Sequence, residues 1–409
     1  MDELKNFQVT SEQKNVLREI LVWLSENKDP SLTVGGYAGT GKTTLLAVLR
    51  VIIKVKKPKW RVAFASFTGK ASQVLAQRLK HHGAVYPKDS VSTLHSLLYS
   101  PIEGSDGEIH GWMRKDELPF SLIIVDEASM VTQEIWKDVL AFGVPVLAVG
   151  DHGQLPPVGE TFSLMEDPDL VLHSIHRQAA DSPIIKVALE ARKTGFIPVD
   201  KYGPTVVKYH SQTNEAQVLL DEYAQTYSPD TLFLTGFNAS RVRLNHTIRA
   251  AQWRDPQRPE NGDIVICLKN NWKKGIYNGL VGRLRSAKPV ERDLPMAVLE
   301  AEIEDLQGRY LYSGLILAEP FTQTQETFSV PRRLPPDIAV FDYGYALTVH
   351  KAQGSQAKKV IVLEERSKHM SDEDWKRWLY TAVTRAEEEL YIFGSNEPYQ
   401  PRDSEEDFE

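Results

Sequence analysis

One short stretch constrains this chain more than any other: Gly36-Tyr37-Ala38-Gly39-Thr40-Gly41-Lys42-Thr43. It matches the pattern G-x-x-x-x-G-K-[ST]. Its glycines let successive backbone N–H groups turn inward, where a Cβ would hold an anion away. The stretch follows the apolar run 31–34 and opens a helical pattern over 43–54, which is the setting the motif requires. The helix N-terminus adds about half a positive charge at the loop. A strand, a tight glycine turn and a helix in that order belong to a sheet with parallel strands.

The rest of the sequence agrees with that sheet. Runs 61–67, 121–127 and 144–151 are continuously apolar, and the last two end in carboxylates. Uninterrupted apolar runs fit strands buried on both faces. Helical patterns between them, as at 69–81, predict a right-handed α/β lobe. Runs 231–237, 358–365 and 389–395, with helical patterns at 238–251 and 372–386, predict a second lobe of the same kind. Turn formers crowd 97–119, which reads as a hairpin insertion. The β-like runs 296–304 and 309–317, with prolines nearby, predict a small all-β insertion.

Composition removes other classes. The 409 residues are 42% apolar and 25% charged, as in ordinary globular proteins. The length calls for more than one core. The single cysteine, Cys267, excludes a disulfide framework and a CxxC clamp. The opening MDELKNFQVT has no apolar core, so no signal peptide is expected. No long apolar run predicts a membrane span. The net charge of −7 argues mildly against a nucleic-acid binder. However, 400–409 holds five acids and one arginine, so −4 sits in that tail and −3 on the remainder.

The chemistry gathers at strand ends. Gly36, Ala38, Gly39, Thr40, Gly41, Lys42, Thr43 and Thr44 form a cradle for the phosphates of ATP. Lys42 neutralises the β- and γ-phosphates, and the Thr43 hydroxyl ligates Mg²⁺. Asp126 closes a strand where its carboxylate holds the same ion. Glu127 beside it is placed to orient or deprotonate a water. Gln154, in Gly150-Asp-His-Gly-Gln-Leu-Pro-Pro-Val158, lies at the next strand end, within reach of the γ-phosphate.

Together these segments resemble superfamily 1 helicases. The Gln-Leu-Pro-Pro-Val ending is similar to the 5′→3′ branch, superfamily 1B, which includes the RecD-like and Pif1-like helicases and the phage Dda helicase. Other stretches follow the family's order: Ser11-Glu12-Gln13, Phe67-Thr-Gly-Lys-Ala71, Ser92-Thr-Leu-His-Ser96, His176-Arg177, Ala346 to Ser355 and Tyr380 to Ala386. The resemblance implies two RecA-like P-loop NTPase lobes, with a pin insertion in the first and an SH3-like β insertion in the second. It implies that Gln13 reads adenine, that Gly354 approaches the nucleotide, and that Arg177 and Arg385 neutralise transition-state charge. It implies a single-stranded DNA track of Thr68, Lys70, Thr93 and His95 on one lobe and Asn238, Thr348, His350, Lys351 and Ser355 on the other. Trp112 and Met113 are the candidate strand-separating pin, with packing of Trp112 on the first lobe as the alternative. For both Arg177 and Arg385 the alternative is a surface ion pair, and Arg385 is followed by Glu387, Glu388 and Glu389.

The expected domains are lobe one at 1–96 and 119–176 with the pin insertion at 97–118. Lobe two covers 177–283 and 342–395 with the β insertion at 284–341, and 396–409 is an acidic tail. The implied activity is ATP-driven 5′→3′ translocation on single-stranded DNA with duplex unwinding, coupled to closure of the two lobes. Implied partners are single strands and single/double-strand junctions, with replication or recombination proteins at the tail. A monomer in a bacterial or phage-infected cytoplasm is expected. An RNA helicase of the Upf1-like kind and a nucleic-acid-stimulated loader without strong unwinding remain as alternatives.

Overall fold

The structure is a computed structural model. It describes residue 7 and residues 9–398 except 27, 104–108, 158–161, 176–180, 256–257, 270, 272–273, 275, 277, 295, 307, 323–327, 329, 332–333 and 336. The side chains at 70, 103 and 109–111 also fall outside the description. The chain forms two compact units, Met1–Ile185 and Lys186–Glu409.

The first unit is built on β1 (Ser31–Gly36), β2 (Val62–Ser66), β3 (Ser90–Thr93), β6 (Leu122–Asp126), β7 (Val146–Gly150) and β8 (Leu170–Leu172), with a separate hairpin of β4 (Tyr99–Glu103) and β5 (Ile109–Arg114). The main sheet has the order β3-β2-β6-β7-β1-β8, and every pairing is parallel. Its apolar runs are continuous because both faces are covered. Val62, Phe64, Leu122, Ile124, Leu147 and Val149 pack into one core. Their neighbours Ala63, Ala65, Ile123, Val125, Val146 and Ala148 pack into another on the opposite face. The helix Lys42–Lys56 supplies the first core with Leu45, Leu46, Val48 and Leu49.

Register aligns the strand ends. Ser66 pairs with Asp126 and with Thr93, and Gly35 pairs with Gly150. All these residues therefore reach the carboxyl edge of one sheet, where ligands of open α/β sheets bind.

The second unit carries β9 (Lys201–Gly203), β10 (Val206–His210), β11 (Thr231–Thr235), β12 (Ile264–Cys267), β13 (Val281–Val290), β14 (Val298–Glu304), β15 (Tyr310–Leu317), β16 (Ile338–Ala339), β17 (Phe341–Tyr343), β18 (Ala346–Thr348), β19 (Ala357–Leu363) and β20 (Ala386–Gly394). One sheet has the order β18-β11-β19-β20-β10-β9, parallel except for the edge strand β9. A second sheet, β16-β15-β14-β13-β12-β17, is antiparallel except at β15–β16.

This β sheet reaches beyond the expected 284–341 at both ends. Ile264–Cys267 is buried at all four positions, so it carries no two-residue alternation to mark it as part of an antiparallel sheet. Residues 399–409 of the expected acidic tail lie outside the described residues, and so does Arg177. Among the described residues no helix is long and apolar enough to cross a membrane.

A buried charge cluster fastens the β sheet to the helix Asn238–Ala251. Asp263 accepts from Arg249 Nε and Nη2 at 3.1 Å each, from the Tyr345 hydroxyl at 2.6 Å and from the Glu260 amide at 2.7 Å. Arg249 also lies 4.1 Å from the centre of the Tyr343 ring. Both partners of the central pair are fully buried. Removing one charge from such a pair costs about 3–5 kcal/mol, because the other is left uncompensated. Asp263→Asn, which keeps the shape, should therefore destabilise the second unit by about 3 kcal/mol or more. Urea unfolding followed by far-UV circular dichroism measures this, and a loss below about 1 kcal/mol would contradict the assignment.

Candidate nucleotide site and nucleic-acid edge

The glycine loop joins β1 to the helix Lys42–Lys56. Gly39 and Gly41 hold φ of 81° and 77°, a region only glycine enters freely. A Cβ on Gly36 would lie 2.7 Å from Thr40 Oγ1, so that position too is closed to side chains. Thr40 closes the turn by donating to the Tyr37 carbonyl at 2.8 Å. The helix opens at Gly41 without a side-chain cap. Its first amides therefore keep their capacity to donate to an anion.

Lys42 Nζ donates to the carbonyls of Gly36 (2.7 Å) and Tyr37 (3.1 Å) and stands 3.9 Å from Asp151 Oδ2. Asp151 is 1% exposed and also accepts the Gly153 amide and the Gln154 side-chain amide. The sequence reading passed over Asp151 as a partner of the lysine. Its position one residue past a strand parallel to β1 was the available signal.

Asp126 ends β6, and Glu127 follows with φ 55°. A left-handed backbone at a residue other than glycine costs about 1–3 kcal/mol and is kept where surroundings impose it. Burial and the neighbouring Glu127 charge push the Asp126 carboxyl well above its ordinary range, with Lys42 opposing the rise. A buried carboxylate raised by a neighbouring negative charge favours a cation beside it. Glu127 Oε2 and Gln154 Oε1 are buried acceptors with no hydrogen-bond partner among the described residues. Unmatched buried acceptors of this kind require a partner that the protein does not supply. Among the described residues no three His, Cys, Asp or Glu form a metal cage. One hydroxyl (Thr43) and one carboxylate (Asp126) instead suit Mg²⁺, which keeps water and substrate oxygens.

Gln13 is buried beneath this loop. Its Nε2 donates to Thr40 O at 3.0 Å, and its Oε1 accepts from Thr10 N at 3.1 Å. Both ends of the amide thus hold protein, tying the helix Ser11–Glu26 to the loop. Reading adenine would require exchanging at least one of these bonds. Glu12 beside it accepts the amides of His173 and Ser174 at 2.9 and 2.8 Å, a link that the sequence did not signal.

The candidate track residues of the first unit share the same sheet edge. Thr68 caps the helix Gly69–His81 through Ala71 N, and Thr93 caps the helix Leu94–Leu98 through Ser96 N. His95 packs edge-on against Trp112 at 4.6 Å and lies 4.7 Å from the Tyr99 ring. Burial lowers the pKa of His95. Trp112 thus packs on His95 at the base of the β4–β5 hairpin, whereas Met113 is 58% exposed. Strand pairing sets Ser100 opposite Met113 and Pro101 opposite Trp112, so the two side chains leave opposite faces of the hairpin. The side chain of Lys70 falls outside the described residues.

In the second unit, Thr235 pairs with Thr348 at the carboxyl ends of β11 and β18. Asn238 opens the following helix, and His350, Lys351 and Ser355 follow β18. Gly354 takes φ 71°. Burial, with help from Arg241, brings the Lys351 pKa down to about 8. Asp342 holds Arg241 at 2.8 Å. Glu365 accepts the amides of Gly236 and Phe237 and the Ser240 hydroxyl, which sets the loop carrying Asn238.

Arg385 is not the surface ion pair offered as its alternative. It is 2% exposed, and its guanidinium donates to Thr381 O, Ser355 O and Thr384 Oγ1. In this arrangement it braces the loop that ends at Ser355. Acting on a phosphoryl group would require it to leave these acceptors.

Comparison with known proteins adds the lineage. A family model described as an AAA domain matches residues 8–204, and one described as a UvrD-like helicase C-terminal domain matches residues 343–393. The ATP-dependent RecD2 DNA helicase of Deinococcus radiodurans is 27% identical over 398 residues, spanning 89% of this chain and 47% of that protein. The RecBCD enzyme subunit RecD of Mycobacterium tuberculosis is 25% identical over 416 residues, spanning 88% of this chain and 66% of that protein. The chain thus spans about half the length of the first relative and just under two thirds of the second, at 47% and 66%. Among solved structures, the Pif1 helicase from Bacteroides in complex with ADP-AlF3 and ssDNA is similar with a TM-score of 0.51 and 20% identity, over 95% of this chain and 92% of that one. That likeness is one of fold. The chain is thus similar to RecD-type helicases over nearly nine tenths of its length and shares the fold of a Pif1 helicase.

Proposed function

We propose that this chain is an ATP-dependent DNA helicase that moves 5′→3′ on single-stranded DNA and opens duplexes. One observation carries the reading: the glycine loop, Lys42, Asp126 and Glu127 meet at the carboxyl edge of a parallel sheet, and Glu127 has a buried oxygen without a partner. ATP would seat its phosphates on the loop amides and exchange the carbonyl partners of Lys42 for phosphate oxygens. Thr43 and Asp126 would hold Mg²⁺, which neutralises phosphate charge. Glu127 would accept the proton of the attacking water, and Gln154 would report the γ-phosphate. Closure of the two units on ATP is the proposed coupling step. Substrates would be single strands and single/double-strand junctions, engaged by a cytoplasmic monomer whose acidic tail recruits other proteins.

The direct test follows strand displacement on 5′-tailed and 3′-tailed duplexes, with DNA and RNA tracks. Unwinding of 5′-tailed DNA alone is expected. Equal preference for RNA would favour the RNA helicase reading, and ATPase without displacement would favour a loader. Met113→Ala is expected to lower unwinding several-fold while sparing ssDNA-stimulated ATPase, because the side chain is exposed on the hairpin. Trp112→Ala should lower both together through loss of packing on His95. The reverse pattern would return the pin to Trp112.

Site chemistry is tested separately. Lys42→Ala should abolish turnover. Glu127→Gln should retain nucleotide binding and slow hydrolysis by about a hundredfold or more, the scale of a lost general base. Wild-type turnover in either would remove that residue from the mechanism.

The track has a pH signature. Lys351 with a pKa near 8 is charged below that value and neutral above it. Affinity for ssDNA should therefore fall as pH rises from 7 to 9, with one phosphate contact fewer in the salt dependence. Lys351→Met should flatten the profile over that window, and an unchanged profile would take Lys351 off the track.

A further inference from the structure

The second unit holds a cavity that none of the helicase motifs uses. Its volume is about 390 Å³, and its lining includes Phe196, Glu364, Arg366, Trp375 and Glu397. That is within the range of small-ligand sites, about 300–1,000 Å³. It lies at the carboxyl ends of β19 and β20, since Glu364 directly follows β19 and Ser395 directly follows β20.

The Glu364 side chain is only 8% exposed. Its Oε2 accepts from Lys208 Nζ at 2.6 Å. Its Oε1 is buried and has no hydrogen-bond partner among the described residues. Burial raises the pKa of Glu364 despite Lys208. A half-satisfied buried carboxylate is costly, yet the fold makes room for it. A Cβ on Gly394 would fall 1.8 Å from Glu364 Oε2, so the carboxylate occupies space that only glycine leaves open.

The surroundings favour a cation. Arg366 is engaged by Asp372 and by the Met370 carbonyl, and Lys208 by Glu364. The lining carries Glu364 and Glu397 against Arg366, and Lys208 meets only one oxygen of Glu364, which leaves its other oxygen as the group able to receive a cation. Trp375 is fixed by donating to the Gly195 carbonyl at 2.7 Å and by stacking on Trp378 at 5.0 Å. Phe196 lies 5.2 Å from Lys208 Nζ and Trp375 lies 5.8 Å from the Arg366 guanidinium, so the lining already receives cations on its aromatic rings. Aromatic faces beside unmatched carboxylate oxygen are the chemistry that receives guanidinium and ammonium groups.

We propose that this cavity is a binding site for a guanidinium or alkylammonium group, held by Glu364 with Glu397 at its rim. The group belongs either to a free small molecule or to a basic side chain of a protein partner, and the probes separate these. Isothermal titration of the full chain with agmatine tests the first source, and titration with acetyl-Gly-Arg-Gly-amide tests the second. Saturable 1:1 binding of either probe is expected, weakened at least tenfold by Glu364→Gln and about threefold by Glu397→Gln. The citrulline counterpart of the peptide, neutral and of the same shape, should not bind. It keeps the test decisive if Glu364→Gln does not fold. No saturable binding of either probe, or binding of the citrulline peptide as strong as that of the arginine peptide, would overturn the site.

Discussion

Parallel strand pairing is the constraint on which the first unit depends. Because each strand enters the sheet in the same direction, every loop that leaves a strand leaves from the same edge. The register Gly35 with Gly150 and Ser66 with Asp126 and Thr93 converts five separated stretches of sequence into one surface. The glycine loop, a carboxylate pair and capping threonines then meet without any side chain having to reach far. This is why the position of these residues at one edge could be read from the sequence. Once the strands are known to be parallel, the residue that ends each strand must lie at the ligand edge.

What the sequence made legible follows the same logic. The glycine loop, Asp126, Glu127 and Gln154 were readable because each sits at the end of a continuous apolar run. The short strands β3, β8 and β18 were not readable, having three or four residues each, too few for a period to emerge. Ile264–Cys267 escaped for the opposite reason, because uniform burial erased its alternation. Contacts spanning long stretches of chain left no local trace. Nothing near Gln13 announces that its amide holds Thr40, and nothing near Arg385 announces that it braces Ser355. Trp112 and Met113 are neighbours in sequence yet differ in surroundings because adjacent residues of a strand face opposite ways.

The second unit solves a different problem. It must attach an antiparallel β sheet to a parallel one, and it does so with buried ions. Arg249 with Asp263 and Arg241 with Asp342, each tying the helix Asn238–Ala251 to the antiparallel sheet or its entry, pair charges that are almost wholly removed from water. Such pairs contribute little net stability, since desolvation offsets attraction. Their value is directional. Asp263 receives an arginine, a tyrosine hydroxyl and a backbone amide at once, and no rotated packing of the sheet would satisfy all three.

The net charge, which first argued against nucleic acid, has a structural counterpart in how these units place polarity. On the second unit's candidate track, Lys351 is pushed toward neutrality by burial and by Arg241 rather than standing free in water, while Thr348 is nearly buried. On the first unit, Thr68 and Thr93 turn their hydroxyl oxygens to backbone amides. A strand held by such groups is gripped through short, desolvated contacts to its backbone rather than by a broad cationic field. Counterion release scales with the number of cations that meet phosphates. A track with few of them would therefore bind with a shallow salt dependence and let go easily, which suits the stepwise translocation proposed above.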